Sequence, residues 1–239
     1  MPRIIEILSS RKILFGHASV GNDIIAGMEE LSLGEPILKI ITTRSESDFT
    51  LNGLYHFIVG KNTFPKSKCD AFREFLLQSE RGTTFNIAFF KFCFVDFDEH
   101  SDVQAIFTYY TETISAVQAR FPELVILHVT TPLTTHSWGI RSRIRNLVKG
   151  DPANEKRNKF NDLLLDRYKS QVFNLAGVES TRPDGERVTF SHNGMLYYSL
   201  YNPYASDSGH LNKLGRRTVA AAMLHFLADH VLERTKDFR

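Results

Sequence analysis

The sequence is short of sulfur, has no long apolar run and carries no block of like charge. Only two cysteines occur in 239 residues, Cys69 and Cys93. Neither stands in a Cys-x-x-Cys or Cys/His cluster, so neither a disulfide framework nor a metal site is indicated. No stretch approaches the ~20 apolar residues of a membrane span. The opening MPRIIEILSSRKILFGH lacks an apolar run of signal-peptide length and leads directly into a strand pattern. Lys and Arg number 29 against 27 Asp and Glu, a net charge of +2. With the two signs interspersed, nothing favours nucleic acid or an anionic membrane as a partner. The expectation is a soluble cytoplasmic protein without a cofactor; oligomeric state is not written in these features.

What is present is an ordinary globular balance, 42% hydrophobic and 23% charged residues. The length suits one domain spanning 1–239, with enough chain to bury a substantial core. The 19 phenylalanines are spread along the apolar segments, where core packing accounts for them.

Strand and helix patterns alternate. Residues 12–17 (KILFGH) read as a buried first strand, 18–22 as a turn, and 23–31 as a helix with Ile24, Ile25, Met28 and Leu31 on one face. Residues 36–42 read as a second strand. The polar and aromatic stretch 43–68, with Gly60, Asn62 and Pro65, reads as a functional loop. A helix is expected over 69–77 and a central strand over 86–95, where Lys91 is the lone charge. That lysine either snorkels out at the strand's end or projects into a site. A helical stripe covers 101–120, a strand 124–130, a basic loop or short helix the segment to Gly150 (Arg141, Arg143, Arg145, Lys149), a helix 154–168 and a fifth strand 172–175. Residues 177–204 read as loop, with a turn at Pro183-Asp184-Gly185, and the last helix as 212–232. This succession implies a parallel sheet with helices on both faces.

Two places carry chemistry. Asp207 and His210 lie three residues apart in a polar loop directly before the last helix. A carboxylate beside an imidazole can fix the ring's tautomer and leave its other nitrogen free to take a proton. An acid serving as a plain helix cap is the simpler use of the same pattern. Ser19 sits where the first strand gives way to a helix, and unpaired N–H groups at a helix start can hold an oxyanion. Gly16 and Gly21 have the spacing of a phosphate-binding loop, but Asn22-Asp23 stands where Lys-Ser/Thr is required, and the acid would repel phosphate. A nucleotide loop is rejected. In parallel sheets, ligands bind at the carboxyl ends of the strands. Ser19, Gly60, Asn62, Asp207 and His210 follow successive strands and Lys91 lies toward the end of the third, an order that allows all of them to converge on one edge.

On these residues the chain resembles the SGNH (GDSL-like) hydrolases. The matches are Ser19 in Gly-His-Ala-Ser-Val-Gly, and Asp207-Ser-Gly-His210-Leu-Asn-x-x-Gly ahead of an apolar helix. The resemblance implies a flavodoxin-like three-layer α/β/α sandwich around a central parallel sheet of about five strands. It further implies that Ser19 is the nucleophile, His210 its base and Asp207 the orienter. Gly60 takes the place of the family's glycine after the second strand. Two departures stand out. His17-Ala18-Ser19 replaces Gly-Asp-Ser, and Lys91-Phe-Cys-Phe-Val-Asp96 replaces the Gly-x-Asn-Asp block whose Asn gives the oxyanion a side-chain donor. Asn62 or Lys91 is the candidate for that missing donor. His17 either lines the pocket or is a satisfied histidine at a strand end.

The function expected is a serine ester hydrolase cleaving short acyl groups, such as acetyl on a sugar, from a small-molecule or carbohydrate ester. The alternatives are a non-catalytic module binding carbohydrate or another small ligand, and an acyltransferase. Retention of Ser19, Asp207 and His210 together favours chemistry.

Overall fold

Strands and helices alternate along the chain as the spacing of its apolar residues requires. The computed structural model describes residues 1–32, 38–43, 49–136 and 151–236. The chain opens with α1 (Pro2–Ser9), β1 (Lys12–His17), α2 (Val20–Leu31), β2 (Ile40–Thr42), β3 (Gly53–Ile58) and α3 (Pro65–Leu77). There follow β4 (Ile87–Phe90), α4 (Val103–Arg120), β5 (Val125–Ile126), β6 (His128–Val129), α5 (Pro152–Tyr168) and β7 (Val172–Phe173). The last elements are α6 (Leu175–Ser180), β8 (Thr189–His192), β9 (Met195–Tyr198) and α7 (Lys213–Lys236).

The central sheet has five parallel strands in the order β2-β3-β1-β4-β5. Leu127 separates β5 from β6 and donates its N–H to Ala88 O at 3.1 Å. The parallel pair β6–β7 thus continues from β5 after a one-residue break.

Period-two alternation assigns the faces. Ile13, Phe15, Ile87 and Phe89 point into a core shared with α1, α2 and α7. Leu14, Tyr55, Ala88 and Phe90 point the other way, into an aromatic-rich core under α3, α4 and α5. Three layers result, as the resemblance implies. On the first face α2 and α7 pack closely: a Cβ on Gly27 would lie 2.5 Å from the Arg216 carbonyl oxygen and 2.8 Å from Ala220 Cβ. An ion pair between Glu30 and Arg216 ties the same two helices.

Several expectations need correction. The stretch 43–68 is not one loop, because it contains β3, which lies between β2 and β1 at the heart of the sheet. Its His56 disguises a strand position by looking like a loop residue, yet the ring bonds to His17 Nε2 at 2.9 Å and to Thr42 Oγ1 at 3.1 Å. The second strand is confined to Ile40–Thr42, and residues 36–37 of that expectation lie outside the described residues. The central strand stops at Phe90. Beyond it the Cys93 N–H turns to the Asp96 carboxylate at 2.6 Å instead of a neighbouring strand.

The fifth strand, 172–175, is only two residues long, since Asn174 caps α6 by accepting from the Gly177 N–H at 2.8 Å. Within 177–204 lies the hairpin β8–β9. Its turn residues Asn193 and Gly194 have φ of 50° and 75°, the pattern an Asn-Gly turn favours between strands. The basic segment through Lys149 lies outside the described residues. Among the described residues, no helix is long and apolar enough to cross a membrane.

Candidate active site

Strand β1 ends between two neighbours at the same level. The Val59 N–H donates to His17 O at 3.0 Å and the Lys91 N–H to Gly16 O at 3.1 Å. The segments after β1, β3 and β4 therefore leave the sheet side by side at its carboxyl edge. Ser19 follows β1 at the cap position of α2, with φ 54° and ψ −119°. A non-glycine residue with this backbone is strained. Its hydroxyl makes no capping bond to the helix. It meets His210 Nε2 at 2.8 Å instead.

Three contacts hold the strained turn. Ala18 O accepts from the Gly21 N–H at 3.0 Å, from Lys91 Nζ at 3.0 Å and from the Cys93 thiol at 3.3 Å. Gly21 is required by closeness: a Cβ there would lie 2.4 Å from His17 Cβ.

The opposing loop is built by its own motif. Asn212 donates its side-chain amide to Pro203 O at 2.8 Å and Ala205 O at 3.2 Å, while its oxygen caps α7 by accepting from the Gly215 N–H at 3.0 Å. A Cβ on Gly215 would come within 2.4 Å of Tyr204 O. The Ser206 N–H donates to His210 O at 2.9 Å, closing a tight loop over 206–210. Within it Asp207 Oδ2 meets His210 Nδ1 at 2.7 Å, and Oδ1 accepts from the N–H groups of Gly209 and His210, both at 2.8 Å.

Since the carboxylate can only accept, Nδ1 carries the proton and Nε2 is left to accept from the Ser19 hydroxyl. Burial opposes ionisation of Asp207. The hydrogen bonds from Gly209, the His210 amide and the His210 ring together outweigh it, and its carboxyl lies below the usual range.

Further residues position this loop. Asp23, in the first turn of α2, accepts from the Leu211 N–H at 3.1 Å; burial raises its pKa. Phe94 packs its ring edge-on to His210, 5.4 Å between centroids, and a Cβ on Gly209 would strike that phenyl at 2.6 Å. Arg157 holds Phe94 O at 2.8 Å and Thr134 Oγ1 at 2.9 Å. Thr135 donates its N–H to Ser208 O at 2.8 Å. Sequence reasoning passed over all of these except Asp23, which it weighed only against phosphate. A long-range clamp of this kind leaves no spacing signal in the chain.

The remaining candidates are placed as follows. Lys91 is wholly buried, with Nζ donating to Ala18 O and, at 3.2 Å, to Phe92 O; burial lowers its pKa. It props the serine turn from below. His17 is also wholly buried, and desolvation first, then the neighbouring His56 and Lys91, push its pKa down to about 3. Gly60 has φ 53°, and a Cβ there would lie 2.7 Å from the Lys68 backbone, so the β3–α3 turn needs glycine. Asn62 is exposed, with Oδ1 accepting from Lys68 Nζ at 3.0 Å. Among the described residues no group of three or more His, Cys, Asp or Glu side chains could hold a metal ion.

No family model matches the chain, and no curated protein does so. Solved structures do. An acetyl xylan esterase, AlAXEase, superposes with a TM-score of 0.53 at 15% identity, over 90% of this chain and 98% of its own. A carbohydrate esterase family 3 protein from Talaromyces cellulolyticus gives 0.51 at 10% identity, over 93% of this chain and 99% of its own. At such identities the likeness is one of fold. The chain has the three-layer fold of the SGNH (GDSL-like) hydrolases, and the two neighbours named here are esterases.

Proposed function

We propose that the protein is a serine ester hydrolase that forms an acyl-enzyme on Ser19. The observation that carries this reading is the unbroken chain Ser19 Oγ–His210 Nε2 at 2.8 Å and His210 Nδ1–Asp207 Oδ2 at 2.7 Å. A serine hydroxyl is a poor nucleophile unless a base takes its proton as it attacks. The Ser19 oxygen adds to the ester carbonyl carbon while its proton passes to His210 Nε2. Asp207 holds the ring and stabilises the imidazolium. The tetrahedral intermediate collapses when His210 returns that proton to the departing alcohol, leaving the acyl group on Ser19. Water then repeats the sequence: it gives a proton to Nε2, attacks the acyl carbon, and frees the acid as Ser19 regains its proton.

Negative charge on the carbonyl oxygen needs donors fixed in advance. The N–H groups of Ser19 and Gly60 supply two of them in this reading, each worth about 3 kcal/mol of barrier. The strained backbone at Ser19, held by Lys91 and Cys93, supports a turn kept for such a purpose.

The two neighbours described above are named for esters of xylan and other carbohydrates. Acetylated carbohydrate is accordingly the substrate class to test first, beside 4-nitrophenyl acetate as an activated ester. Turnover of either by the wild type, lost in Ser19→Ala with the fold intact, is the expected result. Undiminished turnover in Ser19→Ala would remove the assignment of the nucleophile. A well-folded wild type that turns over neither ester would favour a ligand-binding role for the same cleft.

A further inference from the structure

The loop between β3 and α3 is fastened by a buried ion pair that the hydrolytic chemistry has not yet used. Lys68 Nζ lies 2.6 Å from Asp96 Oδ2, and both side chains are wholly inaccessible to solvent. Burying two charges is costly unless their remaining hydrogen-bonding capacity is filled. Here it is filled in one direction. Asp96 Oδ2 accepts from the Cys93 N–H at 2.6 Å and Oδ1 from the Thr63 N–H at 2.9 Å. Lys68 Nζ gives a further bond to Asn62 Oδ1 at 3.0 Å.

An ammonium group can only donate, so the Asn62 amide must turn its oxygen toward Lys68 and its NH2 away from it. Both ends of this loop are conformationally forced. Gly60 and Thr63 have φ of 53° and 68°, and the second value is rare for a β-branched residue. The Asp96 carboxylate holds Thr63 in that state. The same short segment, 91–96, also holds the serine turn, through Lys91 Nζ and Cys93 Sγ on Ala18 O. One segment thus holds both the Asn62 loop and the serine turn.

We infer that the Asn62 side-chain NH2 is the third donor to the oxyanion, and that Lys68 and Asp96 are positioning residues that aim it. This rests on the hydrolytic reading of Ser19. It assigns the side-chain donor to the loop after β3, aimed by a carboxylate from the loop after β4.

The test is steady-state hydrolysis of 4-nitrophenyl acetate by wild type, Asn62→Ala, Asn62→Asp, Lys68→Met and Lys68→Met/Asn62→Ala, with circular dichroism to verify folding. Asn62→Asp keeps an oxygen for Lys68 and removes the N–H donors. It is expected to lower kcat by roughly 100-fold with little change in KM, as Asn62→Ala does. Lys68→Met is expected to lower kcat in the presence of Asn62 and to add less than about two-fold in the Asn62→Ala background, because it acts through the amide. Equal losses in both backgrounds would mean that Lys68 merely supports the fold. Should Lys68→Met fail to fold, the two exposed-site variants still decide the role of Asn62. Wild-type kcat in both Asn62→Ala and Asn62→Asp would overturn the inference while leaving the esterase reading intact. A wild type without any turnover would instead remove the esterase reading, and this inference with it.

Discussion

Ser19 Oγ and His210 Nε2 stand 2.8 Å apart although 191 positions separate them in the chain. Their meeting follows from the pairing of α2 and α7, which both begin at the carboxyl edge of the sheet and carry these residues at or just before their first turns. Gly27 lets the helices approach, Glu30 with Arg216 ties them midway, and Asp23 binds the Leu211 N–H at the edge itself.

A bulky residue at Gly27 should therefore separate the two reacting groups from a distance. Gly27→Leu is expected to cost about 1–3 kcal/mol by overpacking and to lower kcat more than a surface variant of equal stability. Denaturant melts beside ester kinetics check both parts.

Asp207 acts through the tautomer and orientation of His210. Asp207→Asn keeps the shape of the loop but allows the amide to donate to Nδ1, which would leave Nε2 carrying the proton. A fall in kcat of about 10⁴ is expected, with a near-normal melting temperature. Kinetics beside thermal melts read this directly.

The buried Lys91 amine matters for the Ala18 carbonyl it supports. Burial disfavours the charged form of this amine, so an apolar side chain of similar length removes a desolvation cost along with a hydrogen bond. Lys91→Met is expected to melt no lower than wild type and yet to hydrolyse esters more slowly, because the serine turn loses a donor. Paired melting and activity data separate the two effects.

Burial also sets how stability responds to pH. The pKa values of His17 and His128 are pushed down to about 3, below the ordinary 6.5. Between those values the unfolded chain binds more protons than the folded one, so stability is full above pH 6.5 and falls as pH drops toward 3. Glu179 has the opposite sign. Burial raises it to about 8 from 4.5, so its contribution is full below pH 4.5 and is lost as pH climbs to 8. Denaturant titrations across pH should show His128→Gln reducing the acid slope and Glu179→Gln reducing the loss between 4.5 and 8.

Much of this was legible in the chain where local chemistry and fold agree. The Asp207–His210 loop announced itself because Asn212, Gly215 and the apolar face of α7 each leave a local mark. Ser19 was legible as the junction of β1 and α2. Strand β3 was not, because His56 interrupts its apolar pattern within a polar stretch, and only pairing with His17 makes the histidine a strand residue. The hairpin β8–β9 carried a readable sign in Asn193-Gly194, hidden among polar neighbours. The clamps formed by Asp23, Lys68, Asp96 and Arg157 join residues far apart in sequence, and nothing short of the fold brings them together. Lys91 shows the same limit: its isolation in an apolar run marked it as unusual, but only the packing under Ala18 gives it a task.

Intact-mass analysis after exposure to a fluorophosphonate asks whether Ser19 is activated, without a choice of natural ester. The expected result is one adduct per wild-type chain, mapped to Ser19, absent in Ser19→Ala and greatly slowed in His210→Ala. An unlabelled, well-folded wild type, or an adduct that persists in Ser19→Ala, would contradict the assignment of Ser19 as the nucleophile.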